Sequence, residues 1–227
     1  YFSGKYDQGP RGMVFMRNDY TGDARICGSL ASLAGLESAL ENSDQAAIDV
    51  AIGRILLLNG VIMSFGGIPL LYNGDALGVL NDYSYSSDPS KANDNRWVHR
   101  SKIDWEKATL RHQRNTVEYT IFTAMKRMIS IRKEISAFAD FNNRELLHSD
   151  NEHLLCYLRF DPMRSSEKIF VVANFDDHPQ RLDLENYCRY GINPRAKYVD
   201  LYSGMKPSQY EGSIALQGGQ FYWLSEN

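Results

Sequence analysis

The apolar residues of this 227-residue chain change their spacing near residue 140, and that change limits the folds open to it. Before it lie two long helix-length stretches. In 116–135, Ile121, Met125, Met128, Ile129 and Arg132 fall at i, i+4, i+7, i+8 and i+11, which is one face of a helix. In 46–65 apolar residues cover nearly every face, which predicts a helix packed on more than one side. Ser43 is the predicted N-cap, and Asp44 favours the positive end of the helix dipole. The same run carries Asp49, Arg54 and Asn59. A membrane span would not hold a central acid and base without an aqueous path, so a buried helix and no membrane partner are expected. After residue 140 the pattern becomes short apolar runs at 144–148, 153–160, 168–174, 180–184, 197–201, 213–216 and 220–224, separated by Asn, Asp, Gly and Pro. Such a series predicts an antiparallel sandwich. Tyr157, Phe170, Phe175, Tyr198, Phe221 and Trp223 are its predicted core.

The long helix stops at Gly66-Gly67, and Ile68-Pro69-Leu70-Leu71-Tyr72 follows as an apolar run of strand length ending at Asn73-Gly74. Helix, tight turn, buried strand and long polar loop describe one unit of a parallel α/β barrel. The loop at 73–107 holds Asp75, Asp82, Asp88, Asp94, Arg96, His99 and Arg100 among Tyr83, Tyr85, Trp97 and Trp105. A loop of that length with no regular structure of its own and no low-complexity character is expected to be functional. Residues 1–43 are expected to be loops plus one helix.

Net charge −3 and the absence of any Lys or Arg block argue against nucleic acid or an anionic membrane as partner. Cys27, Cys156 and Cys188 are odd in number, widely spaced and without a C-x-x-C pair. Neither a disulfide framework nor a zinc site is expected; buried or half-buried thiols in a reducing cytoplasm are. His99, His112, His148, His153 and His178 show no i, i+4 pairing and no Cys neighbours, so no metal and no cofactor is expected. The opening Tyr-Phe-Ser-Gly lacks an initiator Met, which suggests a fragment or a processed product.

The string Gly67-Ile68-Pro69-Leu70-Leu71-Tyr72-Asn73-Gly74-Asp75 resembles the eighth barrel strand of the α-amylase superfamily, G-x-P-x-x-Y-x-G-D-E, with Ala76 where most members carry Glu. Leu80-Asn81-Asp82, Asp88-Pro89-Ser90-Lys91 and Asp94-Asn95-Arg96-Trp97-Val98-His99-Arg100 resemble the eighth loop of amylosucrases and related sucrose hydrolases. Thr21-Gly22-Asp23-Ala24-Arg25 with Gly28-Ser29-Leu30-Ala31 resembles the end of the subdomain that amylosucrases insert after strand seven. The implied fold class is α/β plus all-β: the last part of a (β/α)8 TIM barrel followed by an antiparallel C-terminal β-sandwich. The implied domains are 1–43 (end of the inserted subdomain), 44–139 (helix seven, strand eight, loop eight, helix eight) and 140–227 (C-terminal β-domain).

The resemblance implies retaining transfer of glucosyl units from sucrose to a glucan, another sugar acceptor or water. A carboxylate attacks the anomeric carbon while a second acid protonates the leaving oxygen. In the superfamily those acids sit on strands four, five and seven, so no catalytic residue is expected here and the chain alone is expected to be inactive. Substrate-binding candidates implied by the resemblance are Arg96, closing the glucosyl pocket; Arg25, on the acceptor side; and Asp75 and Asp82, where loop eight leaves the strand. Tyr83 and Trp97 are added as flat surfaces for pyranose faces. Asp94 is expected to pin the loop. Alternatives are an α-glucosidase-type hydrolase of the same superfamily, or a non-catalytic β-sandwich that binds carbohydrate or shields the barrel. Exposed barrel surface would allow homo-oligomers.

Overall fold

The computed structural model describes residues 9–139, 142–161 and 163–227. They form two compact units, 9–55 with 71–124, and 56–70 with 125–227. The expected boundary near residue 140 falls at 140–141, outside the described residues.

The first unit opens with a hairpin, β1 (Met13–Arg17) against β2 (Ala24–Cys27), with a bulge between Val14 and Met16. The Asn18 side chain closes its turn by accepting from the Tyr20 and Thr21 amides. Two short helices follow, α1 (Leu30–Leu33), capped by Ser29, and α2 (Leu36–Glu41). Gly35 separates them at φ +98°, a left-handed conformation that breaks one helix into two. The expectation of loops plus a single helix is therefore corrected. β1 is apolar on both faces at Met13–Met16 while β2 is short and half exposed, so neither strand sets a period-two signal.

Helix α3 (Gln45–Phe65) begins one position later than predicted. Ser43 sits at φ +51°, and the Asp44 carboxylate accepts from the Ala47 amide at 3.1 Å, so Asp44 is the N-cap. The helix is long and apolar enough to cross a membrane by length and composition. It is nonetheless packed: Ile55, Leu57, Asn59, Met63 and Ser64 are at most 3% exposed. The loop at 73–107 is more regular than expected, with 3-10 turns at Asp75–Leu77, Tyr83–Ser87 and Asn95–His99. Trp105 already belongs to helix α4 (Trp105–Ala108), and α5 (Val117–Glu134) is the second long helix.

In the second unit α3 ends at Gly66 and Gly67, both at positive φ, and Arg132 of α5 donates to the Met63 and Gly67 carbonyls. A guanidinium on the last orphan carbonyls satisfies acceptors the helix cannot. The expected barrel strand at 68–72 is not a strand: no described strand pairs with it, and Ile68 and Leu70 are 74% and 83% exposed. A parallel strand exists through its neighbours' hydrogen bonds, and none of those neighbours is among the described residues.

The β-domain forms as predicted. A five-stranded antiparallel sheet runs in the order β3 (Arg144–Leu147), β4 (Leu154–Asp161), β5 (Arg164–Asn174), β10 (Phe221–Glu226), β7 (Tyr198–Asp200). A second sheet orders β6 (Gln180–Asp183), β9 (Ser213–Leu216), β8 (Gln209–Tyr210). Both faces of the large sheet are buried. Cys156, Leu158, Phe170, Val172, Tyr222 and Leu224 pack with Leu182, Ile214 and Leu216 of the small sheet. Tyr157, Ile169, Val171, Ala173, Phe221 and Trp223 pack with Leu57 and Met63 of α3, Met128 of α5, and Phe138. Two buried faces explain why these strands read as continuous apolar runs rather than alternating ones. Of the predicted core aromatics only Phe175 lies outside, 50% exposed, one residue past the end of β5.

Candidate functional site

Every candidate residue named from the sequence lies in the first unit, and several converge on the 3-10 turn Asn95–His99. Asp94 caps that turn by accepting from the Arg96 amide at 3.0 Å. Its two carboxylate oxygens then take the Arg96 guanidinium as a fork, Nε to Oδ1 at 2.8 Å and Nη2 to Oδ2 at 2.8 Å. The same guanidinium lies 4.8 Å from the ring centre of Phe15 on β1. The turn is fixed to β1 by Asn95, whose Nδ2 donates to the Val14 carbonyl at 2.7 Å and whose Oδ1 accepts from the buried Tyr85 hydroxyl at 2.6 Å.

Hydrogen bonds from Arg96 hold the Asp94 carboxyl below its ordinary range. The Arg96 side chain is 49% exposed, and its Nη1 hydrogens and second Nη2 hydrogen have no hydrogen-bond partner among the described residues. A planar cation with one edge locked and the other open is suited to a second carboxylate or to sugar hydroxyls.

The other candidates take different positions. Asp75 accepts from the Tyr72 amide across its own turn at 3.2 Å, and burial pushes its carboxyl above the ordinary value. That turn meets Asn95–His99 through the Tyr72 and His99 rings, edge to face at 5.9 Å. Burial lowers the His99 imidazole, whose Nδ1 is buried without a partner. Asp82 caps the next 3-10 turn through the Ser84 amide; the Ser84 side chain and then that amide draw its carboxyl downward, and its own amide donates to the Val98 carbonyl. Arg25 is exposed on β2 opposite Met16. The Trp97 indole is flanked by the Lys91 ammonium at 5.1 Å and the Arg100 guanidinium at 4.9 Å. Cation–π contacts therefore already occupy its ring.

Tyr83, 43% exposed, receives a hydrogen bond from Asn81 Nδ2 at 3.1 Å. Asn81, noted only as part of its motif, joins three segments: its own loop, the residues around Arg11 and the start of α1. Nδ2 also donates to the Arg11 carbonyl at 2.8 Å, Oδ1 accepts from the Ser29 amide at 2.8 Å, and its amide donates to Ser32 Oγ at 2.9 Å. Glu37, a buried acid in the first turn of α2, also escaped notice; acids and amides at 3.6-residue spacing carry no signal of long-range pairing.

Outside this region, spacing gave no hint that His153 and His178 meet. Their Nδ1 atoms approach the two oxygens of Asp176 at 3.1 and 2.9 Å. No group of three or more His, Cys, Asp or Glu suited to a metal occurs among the described residues. The three thiols are unpaired; Cys156 is buried and pushed up to about 11, Cys27 is half-buried, and Cys188 is exposed rather than half-buried as expected.

Residues 144–223 match the family described as Maltogenic Amylase, C-terminal domain. Glucosylglycerate phosphorylase of Escherichia coli (strain K12) is 27% identical over 107 residues, covering 47% of this chain and 18% of that protein. The structure of AmyP in complex with maltose superposes with a TM-score of 0.57 at 14% identity, over 77% of this chain and 34% of that one. A glucose-bound mutant of MutB, a trehalulose synthase from Pseudomonas mesoacidophila MX-45, gives 0.55 at 16% identity, over 88% and 42%. The chain thus spans less than half the length of each of these proteins. Residues 144–223 therefore resemble the C-terminal domain of maltogenic amylases, and the chain shares the fold of the corresponding parts of these solved structures.

Proposed function

We propose that this chain belongs to an enzyme that cleaves or transfers α-glucosidic bonds with retention, and that sucrose is its glucosyl donor. The observation that carries the proposal is the Asp94–Arg96 fork, held on the hairpin with three N–H donors open. In a pocket that takes a glucosyl unit end-on, such a guanidinium closes the blind end. It binds sugar hydroxyls or a carboxylate from another loop without losing side-chain entropy on each turnover. The attacking carboxylate and the acid that protonates the leaving oxygen lie, on this proposal, outside residues 1–227. The β-domain has, on this proposal, a structural role, since Tyr157, Phe170, Tyr187, Tyr198, Phe221 and Trp223 are spent on two buried cores.

The test is the full-length protein with sucrose, followed as glucose, fructose and glucan. Fructose release with glucose or glucan supports the proposal; no turnover of sucrose contradicts its donor. A second acceptor is suggested by the name of the Escherichia coli relative, a phosphorylase. With inorganic phosphate added, formation of glucose 1-phosphate would favour phosphorolysis over transfer to sugar or water.

A further inference from the structure

We propose that Phe15 is a positioning residue for Arg96: its ring fixes the plane in which that guanidinium meets the substrate. The inference rests on the glucosyl-transfer function proposed above.

The Asp94 fork constrains one edge of the cation, through Nε and Nη2 at 2.8 Å each. Two parallel hydrogen bonds fix where that edge lies, but hydrogen bonds tolerate considerable bending, so the plane can still rock. With the Arg96 side chain 49% exposed, solvent does not hold it either. The face of the guanidinium needs a second support, and the half-buried Phe15 ring supplies it with its centre at 4.8 Å.

The backbone brings that ring into place. In the hairpin Met13, Val14 and Met16 lie opposite Cys27, Ile26 and Arg25, and Phe15 is the extra residue of the bulge. A bulge breaks the alternation of side chains and re-aims the residue it inserts. Ring and cation also share one frame. Phe15 follows Val14, whose carbonyl accepts from Asn95 Nδ2 at 2.7 Å, and Arg96 follows Asn95. The buried Tyr85 hydroxyl donates to Asn95 Oδ1 at 2.6 Å and so holds the amide that joins the two segments. Each partner is therefore anchored one residue away from the contact. The open N–H groups of Arg96 then project from a cation held on its edge by Asp94 and on its face by Phe15. A donor set that is already aligned loses less freedom when it captures substrate.

The test uses the full-length protein with sucrose. Phe15 is replaced by Leu and, through amber suppression, by phenylalanines carrying one, two and three ring fluorines. Fluorine drains the negative ring face with little change in size, so packing is kept while the cation–π attraction weakens stepwise. Sucrose kcat/KM is expected to fall about 3- to 30-fold in Phe15→Leu and to decline stepwise along the fluorine series. Wild-type kcat/KM in Phe15→Leu, or a flat fluorine series, overturns the inference. Should Phe15→Leu fail to fold, the fluorinated proteins, which keep the ring, decide it. A second readout needs no turnover: the fluorine NMR resonance of para-fluorophenylalanine at position 15 is expected to shift on Arg96→Leu, and an unmoved resonance also overturns the inference. A wild-type protein that turns over no sucrose overturns the parent function instead, and the resonance then decides by itself whether the ring holds the cation.

Discussion

Arg96 and Asp94 show what a motif can and cannot reveal about single residues. The D-N-R-W string pointed to both, and the fork between them is a local event two residues apart. In the full-length enzyme, Arg96→Ala is expected to reduce sucrose turnover roughly 30- to 1,000-fold, as losing a charge-assisted contact in a closed pocket does. Its melting temperature is expected to move by only a few degrees, because exposed ion pairs add little to stability. Near-normal turnover in that variant would mean the fork serves only to hold the loop. The joining role of Asn81 was not legible for the opposite reason: its partners lie across the chain, with Ser29 52 positions away. In the second unit Tyr157, fully buried, donates to Ser64 Oγ at 2.7 Å, while Ser64 in turn donates to the Gly60 carbonyl. Tyr157→Phe should lower unfolding free energy by about 1 kcal/mol, read by denaturant titration, with the ring packing kept.

At the level of elements, legibility followed burial. The strands of the β-domain were all found in the sequence except the two-residue β8; the central strands β4, β5 and β10, packed on two faces, carry the strongest apolar runs. The hairpin at 13–27 was missed because neither of its strands sets a period-two pattern. Close packing also reverses a propensity rule in α3. A Cβ at Gly60 would lie 2.7 Å from the Phe221 ring, itself only 6% exposed. Alanine gains about 1 kcal/mol over glycine in a helix, whereas overpacking a fixed ring costs roughly 1–3 kcal/mol. Gly60→Ala should therefore destabilise the protein, and a raised melting temperature would show that Phe221 can move aside. The segment at 68–72 was read correctly as an apolar run but wrongly as a strand, since pairing belongs to neighbours and not to the run itself. Its exposed Ile68 and Leu70 should make the isolated 227-residue chain bind an apolar dye or self-associate. The double variant Ile68→Ser, Leu70→Ser should abolish either behaviour, and dye binding that persists would trace it elsewhere.

On the scale of the molecule, two units divide the labour. One carries every candidate sugar contact; the other is a double-faced β-domain most of whose strand aromatics, among them Tyr157, Phe170, Tyr198, Phe221 and Trp223, are buried. Likeness to amylase-type enzymes rests on the family match at 144–223 and on the shared fold, while the proposed substrate rests on the loop at 73–107. Retention of configuration needs two carboxyl groups about 5–5.5 Å apart across the scissile bond. No such pair is assigned among the candidate residues, whose carboxylates are engaged with their own turns. The most direct measurement is a parallel incubation of the full-length protein and the purified 227-residue chain with sucrose, scored for glucose, fructose and glucan. Turnover by the full-length protein and a buffer-level blank from the chain are expected. Turnover by the chain alone, persisting in its Arg96→Ala variant and through repurification, would place the catalytic acids within these residues and contradict the assignment.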